Sequence, residues 1–166
     1  MPKLQVATIP DPILNKIASK ISDITPSIIQ LTSDMVQTIE SYPNCVGIAA
    51  PQVFKSLRII IVDVSRYSKP YPNKGRLILI NPSIIKGEGE CFGREGCLSI
   101  PDFTANIKRF AKIVVKAVNE KGDCLEFLAE GFESIVIQHE IDHLDGILFL
   151  DRVNSLKTDV FRRKQR

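Results

Sequence analysis

The sequence predicts an α+β domain in which mostly antiparallel strands surround one central helix. Three observations predict it. Apolar residues recur at helical spacing in two long stretches, Ile28 to Ile39 and Phe132 to Leu144. Between them lie several β-branched runs separated by turn residues, without the regular strand–helix alternation of a doubly wound sheet. The second helical stretch also carries the only two histidines of the chain, His139 and His143, with Glu140 directly after the first.

Taken in order, Pro10-Asp11-Pro12 is a rigid turn, and Ile13, Leu14, Ile17 and Ala18 suggest a short helix after it. Thr25-Pro26 is a helix start, with Thr as N-cap and Pro at the first helical position. The stripe Ile28, Ile29, Leu31, Met35, Val36 and Ile39 then faces a core and stops before Pro43. The small residues Gly47, Ala49 and Ala50 let another backbone approach, and Pro51 blocks a central strand, so Cys45–Gln52 reads as an irregular binding edge. Arg58–Val64 is a buried strand, Tyr67–Gly75 an exposed loop, and Arg76–Ile80 a strand closed by Asn81-Pro82. A further short strand begins at Ile84-Ile85, and Lys86-Gly87-Glu88-Gly89 is a turn. Gly93–Pro101 is a tight segment around one cysteine. Lys112–Val118 and Cys124–Leu128 are strands joined by a hairpin turn at Glu120–Asp123. The central helix runs from about Phe132 to Leu144 and stops near Gly146; a short amphipathic helix is expected after Ser155, with Leu156, Val160 and Phe161 facing inward.

A chain of 166 residues, 44% hydrophobic and 25% charged, builds one domain (1–166) with a proper core and is not disordered. Its net charge of +3 is too mild to imply nucleic-acid binding by itself; the excess lies in Arg162-Arg163-Lys164-Gln165-Arg166. Met1–Thr8 lacks the apolar core of a signal peptide, and no run is long enough to span a membrane. Cys45, Cys91, Cys97 and Cys124 show no CxxC spacing and read as reduced thiols. The expected setting is cytoplasmic, with no membrane partner.

On a helix, residues four apart lie on the same face, so both imidazoles can reach one ion. Glu140, about 100° further round, can reach a water bound to that ion. Such a site needs at least one more protein ligand and an open position. Downstream there is no third His and no further Glu; only Asp145, Asp151 and Asp159 remain. That sends the search upstream, where a cysteine thiolate is the best donor.

Three segments then stand in register: Val46-Gly47-Ile48-Ala49-Ala50-Pro51-Gln52, Glu95-Gly96-Cys97-Leu98-Ser99 and Gln138-His139-Glu140-Ile141-Asp142-His143. They resemble the GxGLAAxQ, EGCLS and QHExDH signatures of the peptide deformylases. Pro10-Asp11-Pro12-Ile13-Leu14 resembles the family's opening, so the likeness covers nearly the whole chain. One departure is visible: Cys45 stands where the family usually has a first glycine, which places a rival thiol near the site.

The resemblance implies one divalent metal held by Cys97, His139 and His143, with water in the fourth position. Ligand type alone suits zinc; the family implies Fe(II) in the cell, with Zn, Ni or Co acceptable. It further implies a hydrolase that removes the formyl group from N-formylmethionyl peptides and nascent chains, releasing formate. Metal-bound water would attack the formyl carbon. Glu140 would act as base and then acid, and Gln52 and the Leu98 N–H would bind the developing oxyanion. Peptide backbone would lie beside Val46 and Gly47 as an added strand, with Gly96 also against substrate. Phe132, Ile135 and Val136 precede His139 at helical spacing and either line a methionine pocket or pack in the core. Glu95 and Arg109 match a structural ion pair of the family. A basic C-terminal helix contacting the ribosome is a further expectation. The alternatives are a zinc endopeptidase of HExxH type and a catalytically inactive, metal-stabilised binding protein.

Overall fold

A computed structural model describes residues 3–163. The long elements are α1 (Pro26–Glu40), β1 (Gly47–Ala49), β2 (Ile59–Asp63), β3 (Arg76–Glu88), β4 (Cys91–Cys97), β5 (Ile100–Arg109), β6 (Lys112–Val118), β7 (Cys124–Glu130), α2 (Gly131–Leu144) and β8 (Val160–Arg162). Single 3-10 turns occupy Pro12–Asn15, Ala50–Val53, Val64–Arg66 and Phe149–Arg152. The strands form a five-stranded sheet, β1-β2-β3-β6-β7, and a three-stranded one, β4-β5-β8. Every pairing within them is antiparallel. This is the expected α+β architecture.

The helices are held by the two faces of β2. Alternate side chains of a strand point to opposite sides, and all five residues of β2 are buried. Ile59 and Ile61 pack with Leu31, Met35, Val36 and Ile39 of α1. Ile60 and Val62 pack with Val136, Ile137, Ile141 and Leu144 of α2. A third cluster, with Ile100, Ala105, Ile107, Leu148 and Phe149, lies against the small sheet and includes Cys97. Thr25 caps α1 as its sequence predicts, its Oγ1 accepting from Ile28 N at 3.3 Å. At the far end of α2, Arg58 donates to the Leu144 carbonyl at 2.9 Å and to Asp145 at 2.9 Å, satisfying groups the helix leaves unpaired.

Four expectations are corrected. The helix after Pro12 is one 3-10 turn; Ile17 is exposed, and Ser19 instead bridges Leu57. Gly47–Ala49 is a strand at the edge of the large sheet, because residues too small to show a β pattern still pair with Ile60–Val62. Asn81-Pro82 does not end a strand: β3 runs through it to Glu88, so Lys86-Gly87-Glu88, expected as a turn, is strand as well. The register with β6 shifts between Ile80 and Ser83, and Asn81 adopts φ 51°. A bulge admits the proline, which has no N–H to contribute to a ladder. Finally, the helix expected after Ser155 does not form. Asp159 accepts from Ser155 N, Ser155 Oγ accepts from Thr158 N, and Val160–Arg162 pair with Phe103–Ala105 as β8. Leu156, expected to face inward, is exposed. Lys164–Arg166 of the basic tail lie outside the described residues.

Candidate metal centre

Cys97 is the last residue of β4, opposite Ile100 across a tight hairpin turn. His139 and His143 lie one turn apart on α2, a helix buried nearly all round. The Cys97 sulfur and the two rings form a cluster whose ligand atoms all lie within 4.8 Å of one another. Cys97 Sγ is 3.3 Å from His143 Nε2. Ligands at about 2.0–2.3 Å from one tetrahedral ion would sit about 3.5 Å apart, so the spacing suits a metal. The rival thiol does not join this cluster: Cys45 Sγ donates to the Gly47 carbonyl at 3.4 Å and packs toward α1. Burial, together with the negative charges of Glu140 and Cys97, pushes the Cys45 thiol up to about 12 despite the Gly47 contact.

The charges around the cluster also favour a cation. Burial pushes the His139 imidazole down, but Cys97, Glu140 and Glu95 outweigh it and raise it well above its ordinary value. His143 is driven well below the ordinary value, by burial first and then by His139 and Arg109. Glu140 is 4% exposed, and burial lifts its carboxyl to about 7. Its Oε1 has no hydrogen-bond partner among the described residues, and neither has His143 Nδ1. A buried carboxylate without a partner, beside a thiol and two ring nitrogens, fits a site built around a positive ion.

His139 is oriented from behind. Its Nδ1 lies 2.8 Å from Glu95 Oε1, leaving Nε2 for the ion. Arg109 grips Glu95 with two bonds, Nε to Oε2 at 2.5 Å and a terminal nitrogen to Oε1 at 2.9 Å. Its other terminal nitrogen donates to Asp142 at 2.9 Å, and Arg152 also bonds Asp142. Burial opposes ionisation of Glu95, but the bonds from His139 and Arg109 hold its carboxyl below the ordinary range. Asp142 and Arg152 received no role from the sequence. Asp142 lies inside a motif, one helical turn after His139, but Arg152 carries no local signal.

Gln52 is 2% exposed on the Ala50–Val53 turn. Its Oε1 accepts from Ala49 N at 2.9 Å, which aims Nε2 at Cys97 Sγ (3.4 Å) and Ser99 Oγ (3.1 Å). Leu98 follows Cys97 in the hairpin turn and is half-buried. Gly47 lies against Glu140: a Cβ on it would stand 2.6 Å from Oε2. Val46 packs at the border of the α2 core. Gly96 is exposed on β4, its outer side covered by the Arg163 side chain. The three residues ahead of His139 divide. Val136 belongs to the core, whereas Ile135 stays half-buried near Gly93 and Phe132 half-buried with its ring centroid 4.8 Å from both Tyr67 and Tyr71.

An α+β fold that sets a Cys-His-His cluster beside a buried ionisable carboxylate defines a metal-dependent hydrolase. Comparison with known proteins agrees in detail: the family model described as polypeptide deformylase matches residues 3–159. The peptide deformylase of Syntrophobacter fumaroxidans is 41% identical over 97% of this chain and 92% of its own length. That of Halothermothrix orenii is 44% identical over 92% and 95%. Among solved structures, a class I type b peptide deformylase from Acinetobacter baumannii with Met-Ala-Ser bound is 36% identical at TM-score 0.84, covering 92% of this chain and 99% of that one. The Thermotoga maritima peptide deformylase is 33% identical at TM-score 0.85, covering 93% and 100%. The chain belongs to the peptide deformylase family.

Proposed function

We propose that this chain hydrolyses the N-terminal formyl group of N-formylmethionyl peptides, releasing formate and a free amine. The observation that carries the proposal is the buried cluster of Cys97, His139 and His143 with Glu140 unpartnered beside it. Those three residues would hold one divalent ion, which supplies Lewis acidity and a water acidified to a pKa of about 7. Glu140, buried beside the cluster with Oε1 unpartnered, is placed to accept a proton from water and deliver it to the departing amine. Gln52 Nε2, held by the Ala49 contact, and the Leu98 N–H are the donors assigned to the developing oxyanion. The preset orientation of the Gln52 amide spares reorganisation during reaction. β1 has a free edge in the described sheet, where an extended peptide adds by backbone hydrogen bonds at Val46 and Gly47, facing Gly96. Phe132 and Ile135 border the methionine side chain.

Fe(II) is the resident ion we assign, on the family resemblance; thiolate and imidazole suit zinc as well. A cytoplasmic setting is the one we assign, as the compartment in which nascent chains are met. Any contact with the ribosome would be made by the basic tail from Arg162 to Arg166, of which the described Arg162 and Arg163 lie on or just after a strand. The endopeptidase and inactive-protein readings are not favoured, because the third donor is Cys97 from upstream and Glu140 is poised beside the cluster. Formate release from formyl-Met-Ala-Ser by anaerobically purified protein, with metal quantified in the same sample, tests the proposal. Cleavage of internal peptide bonds, or metal without turnover, would overturn it.

A further inference from the structure

His139 is clasped by one short turn that lies outside all three motif segments. The 3-10 turn Phe149–Arg152 follows α2 by only a few residues, and its Phe149 and Arg152 side chains meet residues of that helix. Phe149, 2% exposed, stacks on the His139 ring with centroids 6.0 Å apart and planes at 28°. Arg152 acts at longer range. Its guanidinium holds both oxygens of Asp142, Nε bonding Oδ2 and a terminal nitrogen bonding Oδ1 at 2.8 Å. Asp142 Oδ2 also accepts from Arg109 at 2.9 Å. Arg109 holds both oxygens of Glu95, and Glu95 Oε1 meets His139 Nδ1 at 2.8 Å. Four charged side chains thus alternate in sign from the surface to the ring: Arg152 is 43% exposed, whereas Asp142, Arg109 and Glu95 are almost fully buried.

We infer that Arg152 is a positioning residue for the metal centre, fixing His139 through Asp142, Arg109 and Glu95. The geometry explains why a fork is needed. Asp142 must present one oxygen to Arg109 at a fixed angle while almost fully buried. A planar guanidinium can occupy both oxygens at a fixed angle, whereas an ammonium cannot. Without it, Asp142 is free to rotate, Arg109 loses its third contact, and Glu95 no longer holds the His139 ring in one orientation. Groups that orient metal ligands typically govern affinity by about 10–100-fold. Arg152 stands further out than such groups, so the low end, about tenfold, is the expected loss. The inference rests on the proposed metal site and goes beyond it by adding a residue that meets neither metal nor substrate.

The test is Co(II) binding to the full chain, measured by competition with a chromophoric chelator and by the cobalt absorption spectrum. Arg152→Gln should weaken Co(II) binding about tenfold and shift the ligand-field bands. Asp142→Asn should do the same, and the double variant should add little, because both break one chain of contacts. Arg152→Lys, which keeps charge without the fork, should fall between and serves should the glutamine variant not fold. Lys74→Gln is the control: Lys74 pairs at 2.9 Å with Glu133, a buried carboxylate on the same helix that is not joined to His139. It should lower melting temperature while leaving Co(II) affinity and spectrum at wild-type values. Arg152 variants within twofold of wild type, or matched by Lys74→Gln, would overturn the inference alone. A wild-type spectrum without thiolate-to-cobalt charge transfer would overturn the metal-site reading as well.

Discussion

Gly47 shows how little room the site leaves at the level of one atom. The space a Cβ would take is filled by the Glu140 carboxylate, 2.6 Å away. Gly47→Ala should therefore displace Glu140 and lower kcat/KM by about 100-fold, the scale of a misplacement near 1 Å, with metal content unchanged by elemental analysis. Glu140→Gln should abolish formate release and still bind metal; retained turnover would remove its role in proton transfer. Titration of this group also has a direction in stability. Its folded pKa, about 7, lies above the ordinary 4.5. Below 4.5 the carboxyl is protonated whether folded or not. Between the two values unfolding releases a proton, so stability falls as pH rises across that window. In chelator-treated protein at pH 8, Glu140→Gln should exceed wild type by on the order of 3 kcal/mol in denaturant melts, and the two should converge near pH 4.

Among the elements, those with strong local periodicity were legible: α1, β2, β6, β7 and α2 stand where their apolar spacing puts them. The Thr25 cap, visible as Thr25-Pro26, should cost about 1 kcal/mol when replaced by Ala, with formate release unaffected. The β4–β5 hairpin was harder to see. In β4 the solvent-facing Phe92 is apolar and the inward-facing Glu95 is charged, the reverse of the usual alternation, because Glu95 serves His139 rather than the core. Val160-Phe161-Arg162 reads equally as a helix face; only its partner Phe103–Ala105, distant in sequence, makes it a strand. The three motif segments made the ligands legible, but the links from Asp142 to Arg109 and Arg152 exist only through folding. Arg109→Met should leave Glu95 a buried carboxylate held only by His139, at a cost of about 3–5 kcal/mol, while Asp142 keeps Arg152. Because Glu95 is held below the ordinary carboxylate range, its stabilisation is present above that range and lost as pH falls. Acid unfolding of this variant should accordingly be less steep with pH than that of wild type.

For the molecule as a whole, the metal cluster joins two bodies of structure. Cys97 comes from the three-stranded sheet, and the histidines come from a helix packed on the five-stranded one. Stripping the ion with a chelator should therefore lower the melting temperature, and hydrogen exchange should quicken first in the β4–β5 hairpin rather than in β2. Two of the four edge strands, β1 and β4, bear site residues, Gly47 and Cys97, each beside an unpaired ladder edge among the described residues. A peptide added there, as proposed, would be held by its backbone amides, which every residue except proline supplies in full. On the proposed reading, one such cleft would admit chains of many sequences behind a shared first residue.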